Sequence, residues 1–245
     1  MGVEVGAQEP GFSFELLAWD TASFGWRTAR ARASRVLEVA DYRELLARCV
    51  AEQVRLLYLF AVPGDEGATG YAGRLVDHRR TYQSSKLDLP VGAHRLELYQ
   101  GATTPELTEL SIRAGDSSRF RVDPEFPETQ FRQLYGAWID RSVRGELADA
   151  VLVARASQPD GPVVGMITVA VDGLVGDIGL VAVQQAHSGR GLGRALVAGA
   201  LREMQRRGCS TAKVVTQRAN AAACHLYEAS GFTLGDERPV FHFWF

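Results

Sequence analysis

The chain has 245 residues, 46% of them hydrophobic, and a formal net charge of −2 at pH 7. Such a chain can form one large domain or two small ones, and its weak negative charge gives no global basic field of the kind that nucleic-acid-binding proteins use. The three cysteines are scattered without the spacing of metal ligands, so the sequence predicts reduced thiols, no metal site and no nucleic-acid partner.

Membrane association is also not expected. The longest apolar region, residues 163–183, is interrupted by Asp172 and Asp177, and the N-terminus lacks the basic-then-apolar pattern of a signal peptide. We therefore expect a soluble, cytoplasmic protein.

The first part of the chain predicts a small α+β domain over residues 1–92. A helix is expected over residues 41–50 with Asp41 as its N-cap, because apolar residues recur there at helical spacing. The apolar run Leu56–Val62 predicts a buried strand. The proline and glycine within residues 89–92 mark the predicted boundary of this domain.

A second domain is predicted over residues 93–245, with the element order β-α-α-β-β-β-α-β-α-β. Hairpin turns are predicted at residues 159–161 and 172–173, where Pro-Asp-Gly and Asp-Gly interrupt apolar runs. The predicted elements are strand 95–99, helices 103–114 and 131–143, strands 150–154, 163–171 and 174–183, helix 192–207, strand 211–216, helix 220–230 and one or two strands within 232–245.

Alternating glycines lie between a strand and a helix in the stretch VAVQQAHSGRGLGRA, residues 181–195. Gly189, Gly191 and Gly193 let the backbone turn sharply and approach a ligand closely, and the amides and dipole of a helix N-terminus attract phosphate. The dinucleotide fingerprint fails, because Arg194 or Leu196 stands where its third glycine belongs, and the chain has no Gly-Lys-Ser/Thr triplet. The stretch predicts a pyrophosphate-binding loop, with an ordinary glycine-rich turn as the alternative.

The loop resembles the acetyl-CoA motif R/Q-x-x-G-x-G/A of the GCN5-related N-acetyltransferases (GNAT). Ser188 stands where the motif has Arg or Gln, and His187 where Tyr is frequent, which weakens one expected contact to the pyrophosphate. The backbone amides do not depend on that side chain. The order of predicted elements is also that of this family. The resemblance implies an α/β (α+β) GNAT fold with a mixed central sheet after the small N-terminal domain.

The resemblance further implies acetyl-CoA as cosubstrate, with the end of the strand pairing with the pantetheine and the loop binding the pyrophosphate. The implied binding residues are Val181, Ala182, Val183, Ser188, Gly189, Arg190, Gly191, Leu192, Gly193, Arg194, Asn220 and Tyr227.

A second motif, TQRANAAACHLYEASGF at residues 216–232, is similar to the family's N-x-x-A-x-x-x-Y-x-x-x-G-F segment. Asn220, Cys224 and Tyr227 share one helix face at this spacing. In the family this Asn meets the pantetheine or the acceptor, and the Tyr phenol protonates the departing thiolate, a role that a group with a pKa near 10 can fill. The alternatives are a plain N-cap for Asn220 and a core aromatic for Tyr227. His225 lies on another face of the helix and is expected to be a surface or packing histidine, not a catalytic one.

The whole chain resembles the dTDP-fucosamine acetyltransferases, through WDTASFG at 19–25, SSRFR at 117–121 and the segment at 216–231. The acceptor implied is a nucleotide-linked (dTDP) amino sugar for surface polysaccharide. Arg119 and Arg121 are the candidate ligands of its diphosphate, and Phe120 and Phe126 are candidates for stacking the base. The alternative is a solvated loop with ordinary arginines.

The expected reaction is direct acetyl transfer to a primary amine, by orientation of two bound reactants. Glu109, Glu146 and Asp177 are candidates for the general base, and a water relay is an equal alternative. Two other functions stay open: a GNAT acting on a protein N-terminus, lysine or antibiotic, and a non-catalytic acyl-CoA-binding module. The sequence also leaves open whether the chain forms a homodimer.

Overall fold

A computed structural model describes residues 11–90, 94–156 and 161–245. The chain divides into two compact units, one comprising residues up to Asp77 together with Arg238–Phe245, and the other comprising His78–Glu237. No helix in these described ranges is long and apolar enough to cross a bilayer.

The first unit holds a mixed sheet and two α-helices. Its elements are β1 (Phe12–Leu16), α1 (Ala18–Phe24), β2 (Thr28–Ala33), α2 (Val39–Ala51), β3 (Leu56–Phe60), a 3-10 helix (Gly67–Tyr71), the start of β4 (Arg74–Ser84) and the end of β10 (Thr233–Trp244). In the sheet, β1 pairs antiparallel with β2, β2 runs parallel to β3, and β3 pairs antiparallel with the end of β10. Burial of Tyr42, Leu45 and Cys49 in one cluster with residues of β2 and β3 shows that α2 covers the sheet with one apolar stripe.

The second unit holds the rest of β4 and β10. Its further elements are β5 (Glu97–Leu98), α3 (Pro105–Ala114), α4 (Arg119–Val122), α5 (Glu128–Val143), β6 (Ala150–Arg155), β7 (Val163–Asp172), β8 (Val175–Val183), a 3-10 helix (Gln185–His187), α6 (Leu192–Arg206), β9 (Thr211–Gln217) and α7 (Ala221–Ala229). The strands form a mixed sheet in the order β4-β9-β8-β7-β6-β5. Helices α3 and α5 pack together, α3 lies on β7 and β8, and α6 packs on β6, β7 and β8.

The predicted fold class is confirmed, and most predicted elements lie within a few residues of the observed ones. The sequence did not predict α4, a helix of four residues, or the strands β1 and β2. The contacts place Arg238–Phe245 with the first unit, because this end of the last strand pairs with β3. The predicted division at residue 92 stays a prediction. Residues 91–93 and 157–160 lie outside the described residues. These ranges include part of the predicted boundary and most of the predicted turn at 159–161.

Asp41 differs from its predicted place as N-cap of α2. The N-cap is Glu38, and Asp41 is the third helical residue, where the two side chains form a capping box with each other's backbone N–H. Asp41 also accepts hydrogen bonds from the Gly11 N–H (3.1 Å) and from both terminal nitrogens of Arg35 (2.6 and 2.9 Å). These donors hold the pKa of the Asp41 carboxyl below its ordinary value, with Arg35 the largest cause, although burial acts in the opposite direction.

We expect Asp41→Asn to lower the free energy of unfolding by about 1.5–3 kcal/mol at pH 7, because a nearly buried charged acceptor is lost. A carboxyl whose pKa is lowered by folding stabilises the protein above its unfolded pKa, and that contribution is lost as the pH falls toward the folded value. Thermal unfolding of wild type and variant between pH 7 and pH 3 should therefore converge at the acid end.

The matched control is Glu52→Gln, which removes a carboxylate from an exposed pair with Arg27 at 3.8 Å. Such surface pairs contribute about 0–1 kcal/mol, so its melting curve should follow the wild type. An Asp41→Asn difference that is the same at pH 7 and pH 3 would show that ionisation of Asp41 does not carry the effect.

Candidate active site

The parallel strands β8 and β9 separate halfway along their length. They pair from Val175 with Thr211 as far as Ile178 with Val214, whereas β8 continues to Val183 and β9 to Gln217. Beyond Ile178 the facing edges carry backbone N–H and C=O groups that are not satisfied by a partner strand in the described part of the chain. An extended ligand with amide groups can pair with such an edge in the same way as a strand.

A β-bulge lies where the two strands separate. On the pairing of β7 with β8, the two residues Gly179 and Leu180 oppose the single residue Thr168. The Thr168 hydroxyl accepts the Leu180 N–H at 2.8 Å, and a Cβ on Gly179 would lie 2.7 Å from that hydroxyl oxygen. Glycine is therefore required at this position, and the bulge turns the end of β8 away from β9.

The predicted phosphate loop presents a run of free amides. Among the described residues, none of the backbone N–H groups from Gly189 to Arg194 donates a hydrogen bond, and the first internal bond of α6 runs from Ala195 to the Gly191 carbonyl. Gly189 (φ 74°) and Gly191 (φ 81°) adopt the left-handed conformation that sets this geometry. Amides at a helix N-terminus that point to solvent form an anion site, so the loop fits a pyrophosphate.

The side chains of the loop contribute less than its backbone. Ser188 directs its hydroxyl to the Gln184 carbonyl at 3.3 Å, within the loop itself. Arg190 and Arg194 are exposed, and no salt bridge to either is formed in the described ranges. His94 bonds the Arg190 carbonyl through Nε2 at 2.9 Å, so a residue distant in sequence anchors the loop.

Tyr227 lies in the hydrophobic core of the second unit, 4% exposed. Its ring packs against Tyr82 (6.1 Å between centroids) and Phe232 (5.8 Å), in the same cluster as Leu192 of α6. Burial is the main cause that raises the pKa of the Tyr227 phenol well above its ordinary value, with a smaller contribution from Cys224. The phenol is therefore protonated at neutral pH, as a proton donor must be.

Asn220 is the N-cap of α7, where its side-chain oxygen accepts the Ala223 N–H at 3.1 Å. This is the capping role that the sequence left as an alternative to ligand binding. The side-chain amide nitrogen of Asn220 donates no hydrogen bond to any described residue, so capping and a ligand contact are compatible. Gly193 lies beside α7, since a Cβ there would be 3.4 Å from Leu226, and this contact brings the loop and α7 together.

A charged cleft of about 360 Å³ opens at the C-terminal end of β8. Helices α3, α4 and α5 form its walls, and Gln184 and Gln185 close it on the side of the phosphate loop. Three arginines and four carboxylates line it, which makes it suitable for a polar acceptor that carries both an amine and an anion. The lining residues are Glu106, Glu109, Leu110, Ile112, Arg113, Asp116, Arg121, Glu128, Arg132, Gln184 and Gln185.

The three predicted acceptor residues separate in the structure. Arg121 lines the cleft and pairs with Glu128. Arg119 does not line the cleft, and its guanidinium lies over the Phe120 ring at 4.3 Å. Phe120 is 7% exposed and packs against Phe126 at 5.0 Å, so this ring supports α4 from within the core.

The three candidate bases are also distributed differently. Glu109 lines the cleft, where Arg132 donates to it at 2.6 Å. Glu146 accepts from Arg141 outside the cleft lining. Asp177 pairs with Lys213 at 2.8 Å near the start of β8, roughly 20 Å along the strand from Val183 at about 3.3 Å per residue. Of these three carboxylates, Glu109 is therefore the one in position to receive a proton from an acceptor in the cleft.

Comparison with known proteins agrees with this geometry. Residues 117–232 match the model of the Acetyltransferase (GNAT) family. A dTDP-fucosamine acetyltransferase of Escherichia coli O6:H1 is 28% identical over 225 residues, which cover 89% of this chain and 92% of that protein. A mycothiol acetyltransferase of Thermobispora bispora is 40% identical over 62 residues, 25% of this chain and 21% of that protein. The crystal structure of a GCN5-related N-acetyltransferase from Sphaerobacter thermophilus has a TM-score of 0.61 at 15% identity, covering 96% of this chain and 76% of that one.

The chain carries a GNAT acetyltransferase domain. It is an acetyl-CoA-dependent N-acetyltransferase, and the predicted recognition of the family is confirmed. The GNAT family uses acetyl-CoA, and the two features that fit this cosubstrate here are the free edges of β8 and β9 and the amides of the loop.

The sequence did not point to several parts of this GNAT site. The bulge had a detectable signal, because an isolated glycine within a strand indicates a bulge or a close approach, and Gly179 is such a residue. The sequence contained no such signal for Arg113, His94, Gln184 or Gln185. Their roles depend on contacts between residues far apart in the chain, such as the 70 positions that separate Arg113 from Val183.

We expect Gly191→Glu to abolish acetyl-CoA binding. The substitution places a carboxylate beside the loop amides and strains a residue at φ 81°, which costs about 1–2 kcal/mol for an L side chain. Isothermal titration of the folded variant with CoA measures this loss directly.

Gly208→Glu is the matched control. Gly208 ends α6 with φ 86°, and like Gly191 it has no neighbouring atom within 4 Å of an added Cβ. The backbone strain and the added charge are thus the same as in Gly191→Glu, but Gly208 lies at the other end of α6. Equal CoA affinity in the two variants would mean that the loop does not bind the pyrophosphate.

Proposed function

We propose that the protein transfers the acetyl group of acetyl-CoA to the amine of a dTDP-linked amino sugar. The observation that carries this proposal is the charged cleft at the end of β8, next to the separated strands. Support for the acceptor class comes from the relative that covers most of the chain and is a dTDP-fucosamine acetyltransferase. The amine and the thioester would meet at Val183, where the cleft and the strand come together.

The chain's own residues would orient the two reactants. Acetyl-CoA supplies an activated acetyl thioester, and the edge of β8 at Val181–Val183 would align it, with a backbone N–H stabilising charge on the carbonyl oxygen. The acceptor nitrogen would lose its proton to Glu109 directly or through a water. The Tyr227 phenol would give its proton to the sulfur as the carbon–sulfur bond breaks. Orientation of bound reactants supplies most of the rate gain in such a reaction.

Tyr227→Phe tests the proton donor. The change removes one oxygen and keeps the buried ring, so packing against Tyr82 and Phe232 stays. We expect kcat to fall by at least about a hundredfold, because general-acid catalysis contributes about 10²–10⁴-fold. CoA affinity and the thermal midpoint should change little, as measured by titration and by calorimetry on the same preparation.

Tyr82→Phe is the control, because it removes the hydroxyl of the neighbouring ring. That hydroxyl donates to Glu228 at 2.7 Å, and its loss should appear as lower stability with turnover largely retained. If Tyr227→Phe also lost stability and kept its turnover with chemistry rate-limiting, Tyr227 would be a core aromatic and another proton donor would be needed.

The acceptor contact proposed for α4 now rests mainly on Arg121. Its pair with Glu128 is solvent-exposed on both sides (45% and 53%), so a diphosphate can compete for it. Arg121→Ala should raise the KM for the dTDP-amino sugar roughly tenfold, the low end of a charged hydrogen bond, and leave the KM for acetyl-CoA unchanged. Arg119→Ala, outside the cleft lining, serves as comparison. A purified enzyme that acetylates peptides but no dTDP-amino sugar would refute the proposed acceptor.

One observation favours a second acceptor class. The cleft has four carboxylates, Glu106, Glu109, Asp116 and Glu128, against three arginines. Hydrogen bonds from its own backbone and from Thr104 lower the pKa of Glu106, which keeps it ionised. Such a surface also suits a polyamine-like acceptor, for example an aminoglycoside antibiotic or a basic peptide. Assaying these amines alongside the dTDP-amino sugar distinguishes the two classes.

A further inference from the structure

The three arginines of the cleft differ in what neutralises them. Arg121 pairs with Glu128, and Arg132 pairs with Glu109 at 2.6 Å. Arg113 instead donates through Nε to the Val183 carbonyl at 2.7 Å and through Nη2 to the Gln185 side-chain oxygen. Both of its acceptors are neutral, and no carboxylate pairs with Arg113 in the ranges that the structure describes.

This difference decides which arginine is available to an anion. A phosphate that binds Arg121 or Arg132 must displace a carboxylate, so the net gain is reduced by the interaction that is lost. Arg113 retains its full charge, and its Nη1 group donates to no acceptor in the described part of the chain. A guanidinium binds phosphate oxygens through paired N–H groups, which gives it an advantage over a single point charge.

The orientation of Arg113 is also fixed. Two hydrogen bonds to consecutive parts of one segment, the last residue of β8 and the first residue of the following 3-10 helix, hold the guanidinium at the inner end of the cleft. Val183 belongs to the strand edge proposed to align acetyl-CoA. Arg113 therefore joins the wall of the acceptor cleft to that strand, and preorganised charges lose little orientational freedom on binding.

We infer that Arg113, in addition to Arg121, recognises the acceptor's phosphate groups and, through the Val183 carbonyl, positions the end of β8 for transfer. The inference rests on the proposed function of the cleft as acceptor site. Arg113 is a specificity residue toward the phosphate and a positioning residue toward Val183. The two roles predict different kinetic effects. Loss of phosphate recognition would lower kcat/KM only for acceptors that carry phosphate, whereas loss of the contact to Val183 would lower it for every acceptor.

The test compares two acceptors, the dTDP-linked 4-amino-4,6-dideoxygalactose and the same amino sugar without the nucleotide. Arg113→Gln should lower kcat/KM for the linked sugar by roughly ten- to a hundredfold more than for the unlinked sugar, the value of one charged hydrogen bond. A merely structural effect would lower both in proportion and leave their ratio unchanged. Arg113→Lys should restore part of the ratio, since it returns the charge without the paired N–H groups.

Arg144→Gln is the control, because it removes an arginine from exposed pairs with Asp140 and Glu146, outside the cleft lining. In this variant the ratio of kcat/KM for the linked sugar to that for the unlinked sugar should equal the wild-type ratio. An Arg113→Gln ratio equal to that of the wild type overturns the phosphate role.

A second arm separates failure of the inference from failure of the proposed function. If the wild type acetylates no dTDP-amino sugar, the proposed acceptor is wrong. Arg113 is then tested by calorimetry with inorganic pyrophosphate. Saturating CoA is present in this titration so that the phosphate loop is already occupied. Pyrophosphate binding that is present in wild type and Arg144→Gln and lost in Arg113→Gln supports the anion role. Equal binding in all three, or none in wild type, overturns it.

Discussion

The separation of β8 from β9 is the constraint on which the rest of the site depends. A parallel pair that continued to Val183 would satisfy its own backbone groups and leave no edge for a ligand. The bulge at Gly179 prevents this, and the Thr168 hydroxyl satisfies one N–H that the bulge displaces. The remaining groups need water or a ligand, because an unsatisfied polar group that becomes buried costs about 1–3 kcal/mol. The strands thus stop pairing at the edge where we propose that acetyl-CoA is aligned.

The two ends of that open edge have opposite electrostatic designs. The predicted phosphate loop presents backbone amides that have no hydrogen-bond partner among the described residues, together with exposed arginines, and this combination suits an anion. The cleft mixes both charge signs and pairs most of them with each other, as in Arg132 with Glu109. Paired charges of both signs favour a ligand that replaces both partners of a pair over one that replaces only one of them. This division fits a reaction in which the cosubstrate is constant and the acceptor is selected.

The sequence predicted what local geometry determines. Alternating glycines before a helix have few alternatives, and the helix predicted at residues 103–114 is observed as α3 (Pro105–Ala114), with Thr104 as its N-cap. The sequence did not predict features that depend on very short segments or on contacts between residues far apart in the chain. α4 has four residues, too few for a periodic pattern, and Asp41 is displaced by a capping box whose other member is Glu38. The pairing of Val240 with Phe60 and the bond from Arg113 to Val183 join distant residues, and a single sequence without aligned relatives contains no pattern for either.

Burial of Tyr227 makes its packing role and its proposed chemical role parts of one arrangement. The core that holds the ring also raises the pKa of the phenol, which secures the proton but weakens the phenol as an acid. A free thiol has a pKa near 8.5, below the value of about 10 for an ordinary tyrosine phenol, so proton transfer from the phenol to a solvated thiolate would be uphill. A sulfur that becomes negative within the same water-poor space has its own basicity raised by desolvation. The pKa of the phenol and the pKa of the departing thiol are then both raised. Proton transfer from the phenol to the sulfur becomes favourable only as the carbon–sulfur bond breaks.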